Sequence, residues 1–235
     1  MTGNSIIRDD FDRIALVGDD AWNHNSHYHD MLLRHLPPHC QEALEIGCGT
    51  GAFARQLAER AGHVLALDLS PNMIHIARER SARYPNIDFQ VGDVMTWAFS
   101  PGQFDCIASI ATFHHLPLEE VLPKLKRALK PGGVLLILDL FKPEGLSGLL
   151  SSALAVPASL ALRWVRTRRL RDSESVRRAW QAHGQHDSYL ALSQARRAYA
   201  ALLPGARVHG HLLWRYSVIW ASAPAGSPPA APTST

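Results

Sequence analysis

Between about residue 40 and residue 140 the chain alternates short apolar runs with longer stretches of helical period. Residues 43–46 form a short apolar run that ends in glycines, and 52–60 after it read as a helix. Residues 63–67 predict a second strand. A second helix follows over 70–84, with Pro71 in its first turn, where a missing N–H costs nothing. Further strands are predicted at 88–91, 104–110 and 134–139. The helix at 118–129 is stopped by Lys130-Pro131-Gly132-Gly133. Strands apolar on both faces, alternating with helices, predict a parallel sheet covered on both sides. Beyond residue 140 the pattern breaks, and 142–190 show no strand. Residues 149–162 are mostly apolar but contain Ser151, Ser152, Pro157 and Ser159. A membrane span needs roughly 20 apolar residues, so this segment predicts a buried helix pair or an interfacial lid. A helix over 188–203 and strands at 207–214 and 216–222, joined tightly at Arg215, complete the pattern. No internal repeat interrupts it.

The length of 235 residues suits one large domain, or one domain with a modest insert. With 46% hydrophobic and 19% charged residues, disorder of the whole chain is excluded. Cys40, Cys48 and Cys106 make neither a disulfide framework nor a metal spacing, which predicts a reducing, cytoplasmic compartment. The start MTGNSIIRDDFDR lacks the basic and apolar regions of a signal peptide. The net charge of +3 is uneven. Seven arginines at 163, 166, 168, 169, 171, 177 and 178 face only Asp172 and Glu174, so this segment carries +5 and the remainder −2. A local excess of this kind gives no ground for nucleic-acid binding. A solvated helix face ranks first for it, docking of an anionic acceptor second and contact with a membrane surface last.

The most informative stretch is Leu44-Glu45-Ile46-Gly47-Cys48-Gly49-Thr50-Gly51, between a strand and a helix. Its glycines allow sharp turns and close approach of a ligand, and the helix start favours negative charge. With Ala52 it also fits the dinucleotide fingerprint, so the loop by itself leaves two cofactors open. Other residues follow in order. Asp68 closes the second strand within Ala66-Leu67-Asp68-Leu69-Ser70-Pro71-Asn72-Met73, and Gly92-Asp93-Val94 follows the third. Phe104-Asp105 opens the fourth, and Lys130-Pro131-Gly132-Gly133 precedes the fifth. Over residues 40–140 this ordered set resembles the class I S-adenosylmethionine-dependent methyltransferases. Within them it is most similar to the small-molecule enzymes that include the ubiquinone and menaquinone methyltransferases.

The resemblance implies a doubly wound, Rossmann-like α/β fold. Its seven-stranded sheet has the order 3-2-1-4-5-7-6, with strand seven antiparallel. The chain then divides into an N-terminal helical cap segment (1–38), a methyltransferase domain (39–223) with a helical lid (142–187), and a disordered Pro-, Ala- and Ser-rich tail (224–235). The implied cofactor is S-adenosyl-L-methionine, released as S-adenosyl-L-homocysteine. Gly47, Cys48, Gly49 and Gly51 would lie beneath its methionine and ribose parts. Asp68 would accept from both ribose hydroxyls, as two carboxylate oxygens suit a vicinal diol. Leu69 and Met73 would flank the adenine. Asp93, after Gly92, would accept from the adenine amino group, with Val94 against the ring. Glu45 would attract the cofactor's ammonium, as would the carbonyls of Ile110 and Ala111. Plain structural readings stand beside these: Asp68 or Ser70 as a helix cap, and Asp93 as a turn residue.

Thirteen histidines supply candidates for the acceptor side. They gather as His24, His27 and His29; as His114-His115 after the fourth strand; and as His183 with His186-Asp187. The first and third groups are expected to fold over the carboxyl edge of the sheet. His115, His114, His24 and His186 are then candidate bases, one of them oriented by Asp187, with Tyr28 a further candidate that closes over the methionine end. A metal gripping a catechol-like acceptor is the weaker alternative, since no recognised metal motif spans the set, and no metal is assigned. The implied reaction is methyl transfer to a hydroxyl or amine of a small molecule by a monomer or homodimer. A nicotinamide-dependent oxidoreductase would need the loop to hold a pyrophosphate that Glu45 repels. A non-catalytic cofactor-binding protein remains an alternative. A nucleic-acid substrate is disfavoured, because Ala111-Thr112-Phe113-His114 stands where an Asn/Asp-Pro-Pro-aromatic motif is expected.

Overall fold

The computed structural model describes residues 3–17, 24–168, 173–184, 187–224 and 226. Helix α1 (Gly3–Val17), a 3-10 turn (Ser26–Tyr28) and the short α2 (His29–Leu33) precede the sheet. There follow β1 (Cys40–Ile46), α3 (Ala52–Ala58), β2 (Ala61–Asp68), α4 (Pro71–Arg80), β3 (Ile87–Val91) and β4 (Phe104–Ile110). The chain continues through α5 (Leu118–Ala128), β5 (Leu129–Leu140), α6 (Gly145–Thr167), α7 (Glu174–His183), α8 (Leu192–Leu202), β6 (Arg207–His211) and β7 (Arg215–Ala221). The strand order is β3-β2-β1-β4-β5-β7-β6. β7 runs antiparallel to both β5 and β6, and the other pairs are parallel.

Alternation along the strands builds two core layers. Ala43, Val64, Ala66, Cys106, Ala108, Leu136 and Leu138 face one side, packed by Phe53 and Leu57 of α3 and Ile74 of α4. Leu44, Ile46, Leu65, Leu67, Ile107, Leu135 and Ile137 face the other, packed by Leu122 and Leu125 of α5 and Tyr199 of α8. On α5 the buried positions Val121, Leu122, Leu125 and Ala128 form one helical stripe. Ser70 caps α4, its Oγ accepting from Met73 N at 3.0 Å, with Pro71 next in line. Helices α3 and α5 lie on opposite faces, so the chain reverses direction around β1. The crevice at the carboxyl ends of β1 and β4 is where such sheets bind ligands.

The differences from the sequence pattern are local. β1 and β2 extend toward their N-termini, β5 takes in Lys130-Pro131-Gly132-Gly133, and α3 and α4 end earlier than their periodicity suggests. The apolar segment at 149–162 lies in one continuous helix, α6, not in a helix pair, and its side chains from 153 onward are largely exposed. Residues 188–190 are extended, and Lys142 bridges Ala191. Arg215 is not the hairpin joint: it opens β7 and pairs with His211. The turn is Leu212–Trp214, with Leu213 and Trp214 in the left-handed region. Of the predicted disordered tail, residues 225 and 227–235 lie outside the described residues.

Candidate functional site

β1 carries Glu45 and the loop 47–51 to its carboxyl end. The loop folds onto the end of β2: Gly47 N and Cys48 N both donate to Leu67 O, at 2.8 and 3.0 Å. Gly47, Gly49 and Gly51 have φ of +70°, +51° and +77°. A Cβ at Gly47 would lie 2.0 Å from Thr112 Oγ1, and one at Gly51 2.8 Å from the Phe89 ring. A Cβ at Gly49 would meet nothing within 4 Å, so that turn leaves open space above it. Cys48 Sγ is buried, and burial raises its pKa, which keeps it a thiol.

Asp68 Oδ2 accepts from Gly49 N at 2.8 Å, and Oδ1 accepts from Ser70 N at 2.9 Å. Each oxygen retains a second lone pair for a ligand hydroxyl. Burial raises the Asp68 pKa, and the N–H donors of Ser70 and Gly49 oppose it. Glu45 is 2% exposed, and its Oε2 has no hydrogen-bond partner. Burial, with Asp68 nearby, lifts its pKa well above the carboxylate range. The buried Glu45, with its orphaned oxygen beside the half-buried Asp68, makes a place that a cation would relieve.

The remaining cofactor candidates line the same edge. Gly92 N donates to Asp68 O at 2.9 Å. Asp93 Oδ1 accepts from Met95 N at 2.8 Å, so its turn-forming role is present. Met73 and Val94 are buried and Leu69 is half-buried. Ala111 takes a left-handed φ of +53°, a strained conformation for a residue with a Cβ. Ile110 O accepts from Thr112 Oγ1 at 3.1 Å.

A helical roof stands over this edge. α1 is clasped to the start of α4, where Asp12 Oδ1 accepts from Ser70 Oγ and from Asn72 N at 3.2 Å. Phe11 sets its ring against His183 of α7, with centroids 4.6 Å apart, and 6.2 Å from His115. Asp10 Oδ2 lies 3.3 Å from His183 Nδ1. Asp187 Oδ1 lies 3.5 Å from His183 Nε2 and 3.6 Å from His115 Nδ1, and Tyr189 OH donates to Asp187 Oδ2. His114 Nδ1 lies 2.7 Å from Asp139 Oδ1. The second and third histidine groups therefore converge. Burial and the neighbouring His114 lower the His115 pKa to about 4, against the pull of Asp187. His115 Nε2, Asp187 Oδ1 and Asp139 Oδ2 are buried without hydrogen-bond partners. His114, His115 and Asp187 each offer a donor atom within 4.8 Å of the others.

The first histidine group reaches the same carboxyl edge further along, at the β6–β7 turn beside the end of β5, and does not join the other two. His24 Nε2 lies 2.7 Å from Ser159 Oγ of α6, and Tyr28 OH donates to Leu212 O in the β6–β7 turn. His29 is buried against the Phe53 ring, with centroids 4.9 Å apart. Short side chains on α6 and a left-handed turn create these partners, and neither feature is visible in histidine spacing. His186 lies outside the described residues. Sequence reasoning missed Asp10, Asp12 and Asp139. The signal for Asp139 was present: a carboxylate closing an otherwise apolar strand.

A family model described as "Methyltransferase domain" matches residues 43–133. An uncharacterized methyltransferase of Mycobacterium tuberculosis is 30% identical over 209 residues, covering 86% of this chain and 98% of that protein. Among solved structures, phosphoethanolamine N-methyltransferase 2 of Haemonchus contortus, in complex with S-adenosyl-L-methionine, superposes with a TM-score of 0.56 at 26% identity. That match covers 78% of this chain but spans only 38% of the other. The N-methyltransferase NodS of Bradyrhizobium japonicum, in complex with S-adenosyl-L-homocysteine, gives a TM-score of 0.61 at 18% identity, over 92% of this chain and 98% of its own.

Proposed function

The chain belongs to the class I S-adenosylmethionine-dependent methyltransferases, and from that premise we propose that it methylates a hydroxyl or amine of a small molecule held against the His114-His115 turn. The observation that carries the cofactor side is the pair of carboxyls at the glycine loop, Glu45 buried and Asp68 half-buried. Asp68 keeps an acceptor site on each oxygen for the ribose diol, and the unpartnered Glu45 Oε2 suits an ammonium. The same two carboxyls offer acceptor oxygens to a group that itself only accepts, so they oppose a pyrophosphate and disfavour the nicotinamide alternative. Leu69, Met73 and Val94 would flank the adenine, with Asp93 at its amino group. When bound, S-adenosylmethionine supplies an activated methyl carbon.

The rest of the work falls to the chain. α1 and α7 exclude water over the acceptor, as Phe11 and His183 close the roof. Because burial holds its pKa near 4, His115 is neutral at physiological pH and able to take a proton at the unpartnered Nε2. Asp187, facing Nδ1, steadies the charge that results. His114 is held by Asp139 and positions the turn. A second reading rests on the three donors of His114, His115 and Asp187. A divalent cation there would bind the acceptor oxygen and lower its pKa in place of a base.

The test is calorimetric titration with S-adenosylmethionine and S-adenosylhomocysteine, repeated on Asp68→Ala. Micromolar binding, roughly −8 kcal/mol, that collapses in the variant is the expected result. No binding by folded wild-type protein would overturn the reading. Transfer of labelled methyl to pooled hydroxyl and amine acceptors, with and without a chelator, then separates base from cation: transfer that survives chelation excludes the cation.

A further inference from the structure

Helix α6 is built with its polarity reversed. The described side chains that it turns inward at 152, 155 and 159 are small or polar, and Leu162 alone adds a large apolar contact with the core. Ser152 Oγ accepts from Trp214 Nε1 at 3.0 Å, Ala155 is buried, and Ser159 Oγ meets His24. Large apolar side chains point outward: Leu154 is 68% exposed, Val165 64%, Val156 49%, Trp164 48% and Leu160 46%. Every exposed position from 153 to 165 is apolar. A water-facing helix has the opposite arrangement, and scattered single exposures do not produce a continuous face. The face extends beyond the helix. Leu154 lines an apolar recess of about 210 Å³ with Leu212 and Trp214 of the β6–β7 turn, and Leu212 is itself exposed.

The charge adjoining the C-terminal end of this face is predominantly positive, although Glu174 pairs with Arg178. Arg163 and Arg168 lie at the end of α6, and the sequence adds Arg166, Arg169 and Arg171. Arg177 and Arg178 are exposed on α7. Among the described residues no helix is long and apolar enough to cross a membrane. An apolar helix face with a basic end is the arrangement that lies in a headgroup–acyl boundary.

We propose that the outward face of α6 docks on an anionic lipid surface, with Leu154, Leu160 and Trp164 entering the boundary and Arg168 and Arg177 meeting lipid phosphates. Charge complementarity selects this occupant over a second copy of the chain, which would bring the same +5 segment to the contact. The membrane reading that the sequence ranked last thus becomes the best supported, because composition does not reveal which way the leucines point. The proposal does not depend on the methyltransferase assignment.

Co-sedimentation of the full chain with phosphatidylglycerol vesicles and with phosphatidylcholine vesicles tests it. Binding is expected to phosphatidylglycerol alone, and to fall about tenfold or more when salt rises to about 0.5 M. Leu160→Asp with Trp164→Ser should weaken it about tenfold or more while S-adenosylhomocysteine affinity stays unchanged, which shows that the variant is folded. No binding by the wild type at low salt overturns the proposal. So does equal binding by the variant, and so does a dimer, seen by light scattering, that the variant abolishes without any vesicle binding. Lipid binding without cofactor binding would leave this proposal standing and remove the previous one.

Discussion

Glu45→Gln separates what the buried carboxyl does for the fold from what it does for the ligand. Glu45 is 2% exposed and Oε2 has no partner. Burial and Asp68 raise its pKa, and the Arg55 cation and the Ala54 N–H oppose the rise. Glutamine keeps an acceptor for that N–H and removes only the charge. The folded pKa lies above the unfolded one, so as pH rises the unfolded chain gives up its proton first. Stability contributed by the neutral carboxyl is complete below the ordinary carboxyl range, drains as pH climbs toward the folded pKa, and stays lower beyond it. A tenfold difference in proton affinity between the folded and unfolded chain corresponds to about 1.4 kcal/mol. For a chain of this size 1 kcal/mol moves Tm by about 2–4 °C. The ligand-free variant should therefore melt at least about 2 °C higher than wild type near pH 8. The gain should disappear in mild acid. A charge-assisted contact with an ammonium is worth about 1.5–3 kcal/mol, so S-adenosylmethionine should bind the variant about 10–150-fold more weakly. Scanning calorimetry across pH and titration calorimetry read the two effects. A lower Tm at pH 8 together with unchanged affinity would refute the reasoning on both counts.

Other outcomes follow from the same geometry. Asp12→Ala removes the acceptor for Ser70 Oγ and Asn72 N, loosening α1 from α4; thermal melts should show a loss of about 1 kcal/mol, or roughly 2–4 °C. Gly47→Ala forces a Cβ to within 2.0 Å of Thr112 Oγ1 at φ +70°; it should cost about 3 kcal/mol or more in urea unfolding, and added Thr112→Ala should restore part of it. His24, His29 and His115 are each held near pKa 4 chiefly by burial, below an ordinary 6.5. Their folded forms exclude a proton that the unfolded chain accepts, so stability is full above pH 6.5 and falls between 6.5 and 4. The buried His29 alone should account for about 3 kcal/mol of that fall, and His29→Phe should flatten the pH profile. His115→Gln should leave S-adenosylhomocysteine affinity unchanged while kcat drops by about 100-fold or more; equal losses in both would remove it from proton transfer.

What the sequence made legible followed from local rules. The period-2 burial of Leu44 against Ala43, the Ser70–Pro71 helix start and the φ-positive glycines at 47, 49 and 51 each need only a few neighbouring residues, and each matches its predicted place. Those rules extend to the loop–Asp68 contact, because β1 and β2 are adjacent and their ends are in register at Ile46 and Leu67. The acceptor side needs contacts across most of the chain. Asp10 meets His183 through docking of α1 on α7, and His115 meets Asp187 where the chain leaves α7 past the end of β4, and no spacing encodes either contact. For the same reason histidine spacing does not foretell that His24 meets Ser159 of α6.

That reversed helix and the buried acids follow one logic. An apolar side chain left in water and a carboxylate taken out of it both cost stability, and selection for folding alone would remove both. The fold keeps Glu45 and Asp68 in the crevice with an oxygen unpartnered, and keeps Leu154, Leu160 and Trp164 on the surface. In each place the residues that break the sequence-to-structure rules match a partner from outside the chain: a cation-bearing cofactor in the first, an apolar boundary edged with negative charge in the second. The two sites are therefore expected to respond in parallel to substitution. Removing the offending group should stabilise the ligand-free protein at both, and each stabilised variant should lose only its own partner.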